Sequence, residues 1–134
     1  MSDDVITVSP SELWFSQRTA GGNGRAKKLR ASIRKQGFIY DPANPVTVIR
    51  TPNGLTTIDN TRVAVAQELQ LDKITVVVKN YDESLPPIMV KARRFGEAKT
   101  WGEALRYRTS HQRPEPLPPY GTPVRPYMPK DDEP

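Results

Sequence analysis

Residues 45–66 read PVTVIRTPNGLTTIDNTRVAVA. The β-branched run from Val46 to Ile49 predicts a strand, Pro52-Asn53-Gly54 a tight turn, and Leu55 to Ile58 a return strand, so the stretch opens as a β-hairpin. Asp59-Asn60-Thr61 then offers N-cap groups for a helix running to about Gln70, with Val63, Ala64, Ala66, Gln67 and Leu69 on its inward side. Downstream, Ile74 to Val78 is a continuous β-branched run, the pattern of the most buried strand. Upstream, Gly24 to Gln36 places Ala26, Leu29 and Ile33 at helical spacing and stops at Gly37, a residue suited to a left-handed helix end. Val5 to Val8 predicts a first strand, closed by Ser9-Pro10-Ser11 and a helical turn at Glu12-Leu13. Thr100 caps a last helix through Trp101, Ala104, Leu105 and Tyr107, ending near Ser110.

The order strand, helix, hairpin, helix, strand and further helix implies an α+β fold: a small mixed β-sheet covered by helices on one side, plus a C-terminal helix and a proline-rich strap. The chain of 134 residues is long enough for one core. One domain is expected over 1–110 and a tail over 111–134. The tail holds eight of the fourteen prolines and ends on Asp131, Asp132 and Glu133. Proline fixes its own φ and removes a donor, so this part is expected as an extended strap or a disordered end. No apolar run approaches the roughly 18 residues of a membrane span, and MSDDVITVSP has no signal-peptide blocks.

Chemistry is bounded by what is missing. Zero cysteines exclude thiolate nucleophiles, disulfides and cysteine zinc sites, and the single His111 excludes any site built on two imidazoles. A net charge of +5 favours an anionic partner. The charge is uneven. Residues 16–50 carry eight basic side chains against the single acid Asp41, and a second basic cluster holds Lys91, Arg93, Arg94, Lys99, Arg106, Arg108 and Arg113.

Several parts in this order resemble the ParB and sulfiredoxin-like domain: Val8-Ser9-Pro10-Ser11-Glu12-Leu13, then Leu29 to Gly37 carrying Ser32-Ile33, then Pro45-Val46-Thr47-Val48-Ile49. The arginine-bearing turn Ile58-Asp59-Asn60-Thr61-Arg62 and the run through Ile74 to Val78 complete the unit, over roughly residues 5 to 79. The departures are as informative. Family members that bind nucleotide show a glycine, an acid or histidine and then one or two arginines at the helix start, whereas only Asp59 and Arg62 carry over here. The sulfiredoxin cysteine has no counterpart, which excludes peroxiredoxin repair. No helix-turn-helix module is expected after residue 80, nor is the operator reading that goes with one. The stretch Arg94 to Thr109, followed by Arg113-Pro114, is similar to the C-terminal ends of bacterial polymorphic toxins, in which ParB-like domains form the detachable tip of Rhs-type or contact-dependent effectors. That resemblance implies a long exported parent with Met1 as a cloning start, delivery into a target-cell cytoplasm, and a cognate immunity protein.

The turn at Asp59, Asn60, Thr61 and Arg62 puts backbone N–H groups and a guanidinium at a helix start, where the partial positive charge holds a phosphate. An ordinary N-cap by Asp59 or Asn60 with a solvated Arg62 explains the same residues without a ligand. The loop from Ser16 to Arg25 is glycine-rich and basic, so it is either a flexible surface loop or a backbone cradle in which Arg18 and Arg25 clamp an anion. It lacks the Walker pattern. Relatives of the resembled family place an arginine near Arg18 against the helix-start turn. Lys27, Lys28, Arg30, Arg34 and Lys35 lie along one helix as a solvated face or a track for a nucleic-acid backbone. His111 is expected to be terminal decoration, and Trp101 and Tyr107 to be core anchors.

Together these readings imply an effector toxin domain acting on nucleic acid, DNA before RNA, by phosphodiester hydrolysis. Arg18 and Arg62 would stabilise phosphoryl charge while Asp59 orients a water or a Mg²⁺ ion, the candidate cofactor. Gln17, Arg25, Lys28, Asn60 and Thr61 would bind phosphate or nucleic acid, with no dedicated metal site. A nucleotide-binding NTPase or phosphotransferase of the same fold, and a non-enzymatic DNA- or protein-binding adaptor, are the alternatives.

Overall fold

The computed structural model describes residues 4–129; the acidic end at Asp131, Asp132 and Glu133 lies outside them. Strands β1 (Asp4–Val8), β2 (Thr47–Thr51), β3 (Gly54–Thr57) and β4 (Ile74–Lys79) form one sheet in the order β1-β4-β2-β3. β4 runs antiparallel to β1, with Val5 opposite Val77, and parallel to β2, with Val48 opposite Val78. β2 and β3 form the expected antiparallel hairpin, pairing Thr51 with Gly54. The sheet is therefore mixed and the class is α+β.

Side chains alternate across a strand, and β2 feeds two cores by that rule. Val46 and Val48 face the first core, with Val76 and Val78 from β4 and Val63, Ala64 and Ala66 from helix α2 (Asn60–Glu68). Ile49 turns the other way, into a second core with Ile58, Leu85, Phe95, Trp101, Ala104 and Leu105. Trp101, Ala104 and Leu105 belong to helix α4 (Trp101–Ser110), so the expectation of helices on one side only is corrected: α4 lies against the face opposite α2. Cover on both faces also explains why Val76, Val77 and Val78 are buried in succession.

Helix α1 (Arg25–Gln36) packs its Ala26 and Ile33 against Val65 of α2. Gly37 ends it at φ 77°, where its N–H donates to the Ile33 carbonyl at 2.7 Å. Arg30 departs from the expected basic face. It stands four residues after Ala26 and three before Ile33, so helical spacing turns it inward, where it is 2% exposed and paired with Glu68. Helix α3 (Pro87–Lys91) is short and has no buried residue. In α4, Thr100 and Glu103 form a complete capping box. Trp101 is a core anchor at 2% exposure, but Tyr107 is 36% exposed, because six residues from Trp101 points away from the buried side.

Residues 113–129 form a strap that returns over the body without regular structure. Phe15 and Thr122 exchange two backbone hydrogen bonds at 2.7 and 2.9 Å, Ala20 donates to the Tyr127 carbonyl, and Tyr127 donates to the carbonyl of Arg18. Leu117 is buried beside the end of α4. Gly121, at φ 93°, passes so close to Phe15 that an added Cβ would stand 2.4 Å from its carbonyl oxygen. The strap thus ties down the loop that leads into α1.

Candidate anion-binding cleft

A cavity of about 660 Å³ opens where the start of α2, the first turns of α1 and the last turns of α4 meet. Gln17, Arg25, Lys28, Asp59, Asn60, Thr61 and Arg62 all line it, so seven of the eight residues singled out in the sequence share one concavity. Arg18 is the exception. Its guanidinium donates to the carbonyls of Glu115 and Pro116 at 2.8 and 3.1 Å. Proline-rich chain leaves carbonyls without local partners, and Arg18 satisfies two of them; the expected phosphate contact is corrected to a strap contact.

The α2 corner is tightly bonded. Asp59 Oδ2 accepts from the Thr47 backbone N–H at 2.6 Å, and Asp59 Oδ1 accepts from Arg62 Nη2 at 2.8 Å. Arg62 also donates through Nη1 to the Asn44 carbonyl at 2.7 Å and through Nη2 to that of Pro45 at 3.0 Å. Neither Asp59 nor Asn60 caps α2 with its side chain, contrary to the N-cap expectation. Asn60 instead reads across to Ser16, accepting from its backbone N–H at 2.8 Å and donating to Ser16 Oγ at 3.0 Å, while Ser16 Oγ donates to the Thr57 carbonyl. Thr61 Oγ1 accepts from the Gly21 N–H at 2.9 Å, and Arg25 Nη2 donates to the Gly21 carbonyl, which fixes the glycine loop against both helices.

The opposite wall was missed by sequence reasoning. Arg94 and Arg108 line it, each with its guanidinium carbon 5.1 Å from the centre of the Phe95 ring. Arg108 donates from Nη1 to the Ile58 carbonyl at 3.1 Å and has no carboxylate partner among the described residues. Burial holds the Arg108 guanidinium below its ordinary pKa, and the neighbouring Arg94 charge pushes the same way; Asp59 and Tyr107 partly oppose them. One signal was present in the sequence. Arg108 stands seven residues after Trp101 and three after Leu105, on the buried side of α4, and a cation in that position needs a reason. His111 lies outside the cleft, stacked on Tyr107 with ring centres 4.1 Å apart.

The cleft therefore gathers Arg25, Lys28, Arg62, Arg94 and Arg108 around one carboxylate, Asp59. Both oxygens of that carboxylate are engaged, and no group of three or more histidine or acidic side chains is present among the described residues. The donor set does not fit Mg²⁺, which takes oxygen ligands in octahedral geometry. What the arrangement offers is fixed positive charge and donors aimed into a partly enclosed space, the requirements for holding a phosphoryl group.

Among solved structures, the chain is similar to a Pnob8-like ParB-N domain at 15% identity and a TM-score of 0.48, over 79% of this chain and 43% of that one. The chain thus spans less than half the length of that protein. No family model matches the chain. No curated protein matches it either. Among the described residues, no helix is long and apolar enough to cross a membrane.

Proposed function

We propose that this chain binds nucleic acid, with backbone phosphates entering the cleft between α1, α2 and α4. The observation that supports it is the grouping of five cationic side chains around a single neutralised carboxylate. Beside the cleft, Lys27, Arg34 and Lys35 stand exposed on α1 and extend the positive surface beyond the span of one phosphate. Such a surface releases counterions on binding, so affinity should fall steeply with salt. DNA is the preferred partner of the proposal.

Cleavage of the bound strand is the stronger form of this reading, the one implied by the resemblance to effector tips. Arginines in a sheltered site would stabilise the charge that develops on a phosphoryl group under attack by water. Asp59 is held by Arg62 and Thr47, so a base role would require this pair to open when a strand binds. In an effector setting, delivery into a competitor's cytoplasm would make the open cleft the surface for an immunity protein to cover. A nucleoside triphosphate is the second reading, favoured by a cavity volume within the range of small-molecule sites.

Anisotropy titrations of labelled single-stranded DNA, duplex DNA and RNA across a salt series test the proposal, with ATP and CTP as competitors. If the four cleft cations not paired with Asp59 each meet a phosphate, log affinity for a single strand should fall against log salt with a slope of about −3. No strand binding at low salt sinks it, and displacement by nucleotides at micromolar levels favours the second reading. Incubation with plasmid, single strands and RNA, with and without Mg²⁺, decides the cleavage question; intact substrates beside tight binding leave a binding module.

A further inference from the structure

The two walls of the cleft are not equivalent, and one of them was given no role in the sequence reading. Arg62 was among the residues expected to hold the ligand. Yet its Nη1 is committed to the Asn44 carbonyl and its Nη2 is shared between the Pro45 carbonyl and Asp59. Its charge is neutralised by Asp59, and its hydrogen bonds join the segment before β2 to the start of α2. An arginine so occupied holds the corner in shape. It offers an incoming anion little that is not already given to the protein.

Arg108 is the converse. It is half-buried and laid over Phe95, and its guanidinium donates through Nη1 to the carbonyl of Ile58, while Nε and Nη2 have no acceptor among the described residues. Arg94 shares the same ring, its side chain has no hydrogen bond or ion pair among the described residues, and it lines the same cavity. The Arg94 charge works against the half-buried Arg108 guanidinium and Asp59 offsets this only in part; a bound anion would relieve that repulsion. The planar donor forks of arginine suit phosphate oxygens, and the ring fixes Arg108 so that little side-chain freedom remains to be lost.

We infer that Arg108, assisted by Arg94 and held by Phe95, is the principal anion-binding residue of the cleft, and that Arg62 is a positioning residue. Arg108 belongs to α4, outside the hairpin and helix that carry the family resemblance, so the grip on the ligand is supplied by the later part of the chain. The inference rests on the proposal that the cleft binds phosphate, and it moves the decisive contact to the other wall.

The experiment compares wild type with Arg108→Gln, Arg94→Gln, Arg62→Gln and Arg108→Lys. Each is measured for thermal stability and for binding of two probes, a labelled single-stranded DNA and inorganic pyrophosphate. Removing a charge-assisted, forked contact should weaken binding by about tenfold or more in Arg108→Gln. Its melting temperature should stay level or rise, since an uncompensated half-buried charge is gone. Arg108→Lys should fall between, keeping charge but losing the fork. Arg62→Gln should melt lower and, measured below its own transition, bind within about threefold of wild type. Binding by wild type that Arg108→Gln retains within twofold overturns this assignment and leaves the phosphate-binding proposal standing. So does an Arg62→Gln protein that melts normally and no longer binds. Failure of wild type to bind either probe removes both.

Discussion

The α2 wall and the α4 wall of the cleft contain the same chemical group in opposite states. On the first, Arg62 is paired with Asp59 and bonded to two carbonyls. On the second, Arg94 and Arg108 share one aromatic ring and neither is ion-paired to an acid among the described residues. Satisfied arginines contribute to the fold, whereas unsatisfied ones cost stability and are tolerated where a ligand completes them. A basic cluster is therefore best judged by which of its members still have donors to give.

That contrast depends on the cleft keeping its shape, and the largest expected effect lies at the strap that braces it. Gly121→Ala would put a methyl group 2.4 Å from the Phe15 carbonyl oxygen and 2.8 Å from Thr56 Cγ2, in a backbone conformation that disfavours alanine. A loss of about 3 kcal/mol is expected, combining overpacking with positive-φ strain. Chemical denaturation would measure it. Loss of stability together with loosening of the loop from Gln17 to Arg25, seen as faster amide exchange there, would show that the strap supports both walls. An unchanged midpoint would mean the strap is free to lift away.

A smaller effect is expected at the base of the α4 wall. Thr100 Oγ1 accepts from the Glu103 N–H at 3.1 Å, and the Glu103 carboxylate answers from Lys99 and Thr100. Thr100→Ala should cost about 1 kcal/mol of stability, the usual magnitude for a lost N-cap. Arg108 lies two turns further along the helix, so DNA affinity measured well below the transition should be unchanged. A parallel loss of affinity would mean that Arg108 is placed by the helix start and not by Phe95 and Ile58.

Much of this architecture is legible in the residues, and the unread parts have identifiable causes. The hairpin announced itself through Pro52-Asn53-Gly54 between two β-branched runs, and α4 through Thr100, because turn and cap chemistry is local. Arg30 did not, since a buried cation looks like a surface one until its partner Glu68 is known, 38 residues away in sequence. Arg18 failed for the same reason: its acceptors belong to Glu115 and Pro116, 97 and 98 residues on. The α2 side of the cleft was foreseeable from Asp59 to Arg62, which are contiguous. The α4 side required knowing that β2 buries both of its faces, so that a second layer brings Arg108 back to the first. Helical spacing from Trp101 already placed Arg108 inward and Tyr107 outward, a signal that was in the sequence and went unused.

The smallest expected effect is one of pH, again at the start of α4. Hydrogen bonds from the backbone N–H groups of Lys99 and Thr100 hold the Glu103 carboxyl below its ordinary pKa, outweighing the opposing effect of desolvation, and the Lys99 charge helps. A carboxylate lowered in the folded state stabilises the fold fully above its unfolded pKa, and that contribution is lost as pH falls through the folded value. Wild type should therefore melt slightly above Glu103→Gln at neutral pH, and the gap should close on acidification through the carboxylate range. Gln112→Ala, beyond the other end of α4, provides the control: it removes neutral hydrogen bonds to Arg18 and Arg108 and touches no carboxylate, so its gap to wild type should not change with pH. If the Glu103→Gln gap persists unchanged into acid, the cap is held by the geometry of its hydrogen bonds and the charge on Glu103 contributes nothing, which would leave the α4 wall with cations at its far end and no electrostatic support at its near one.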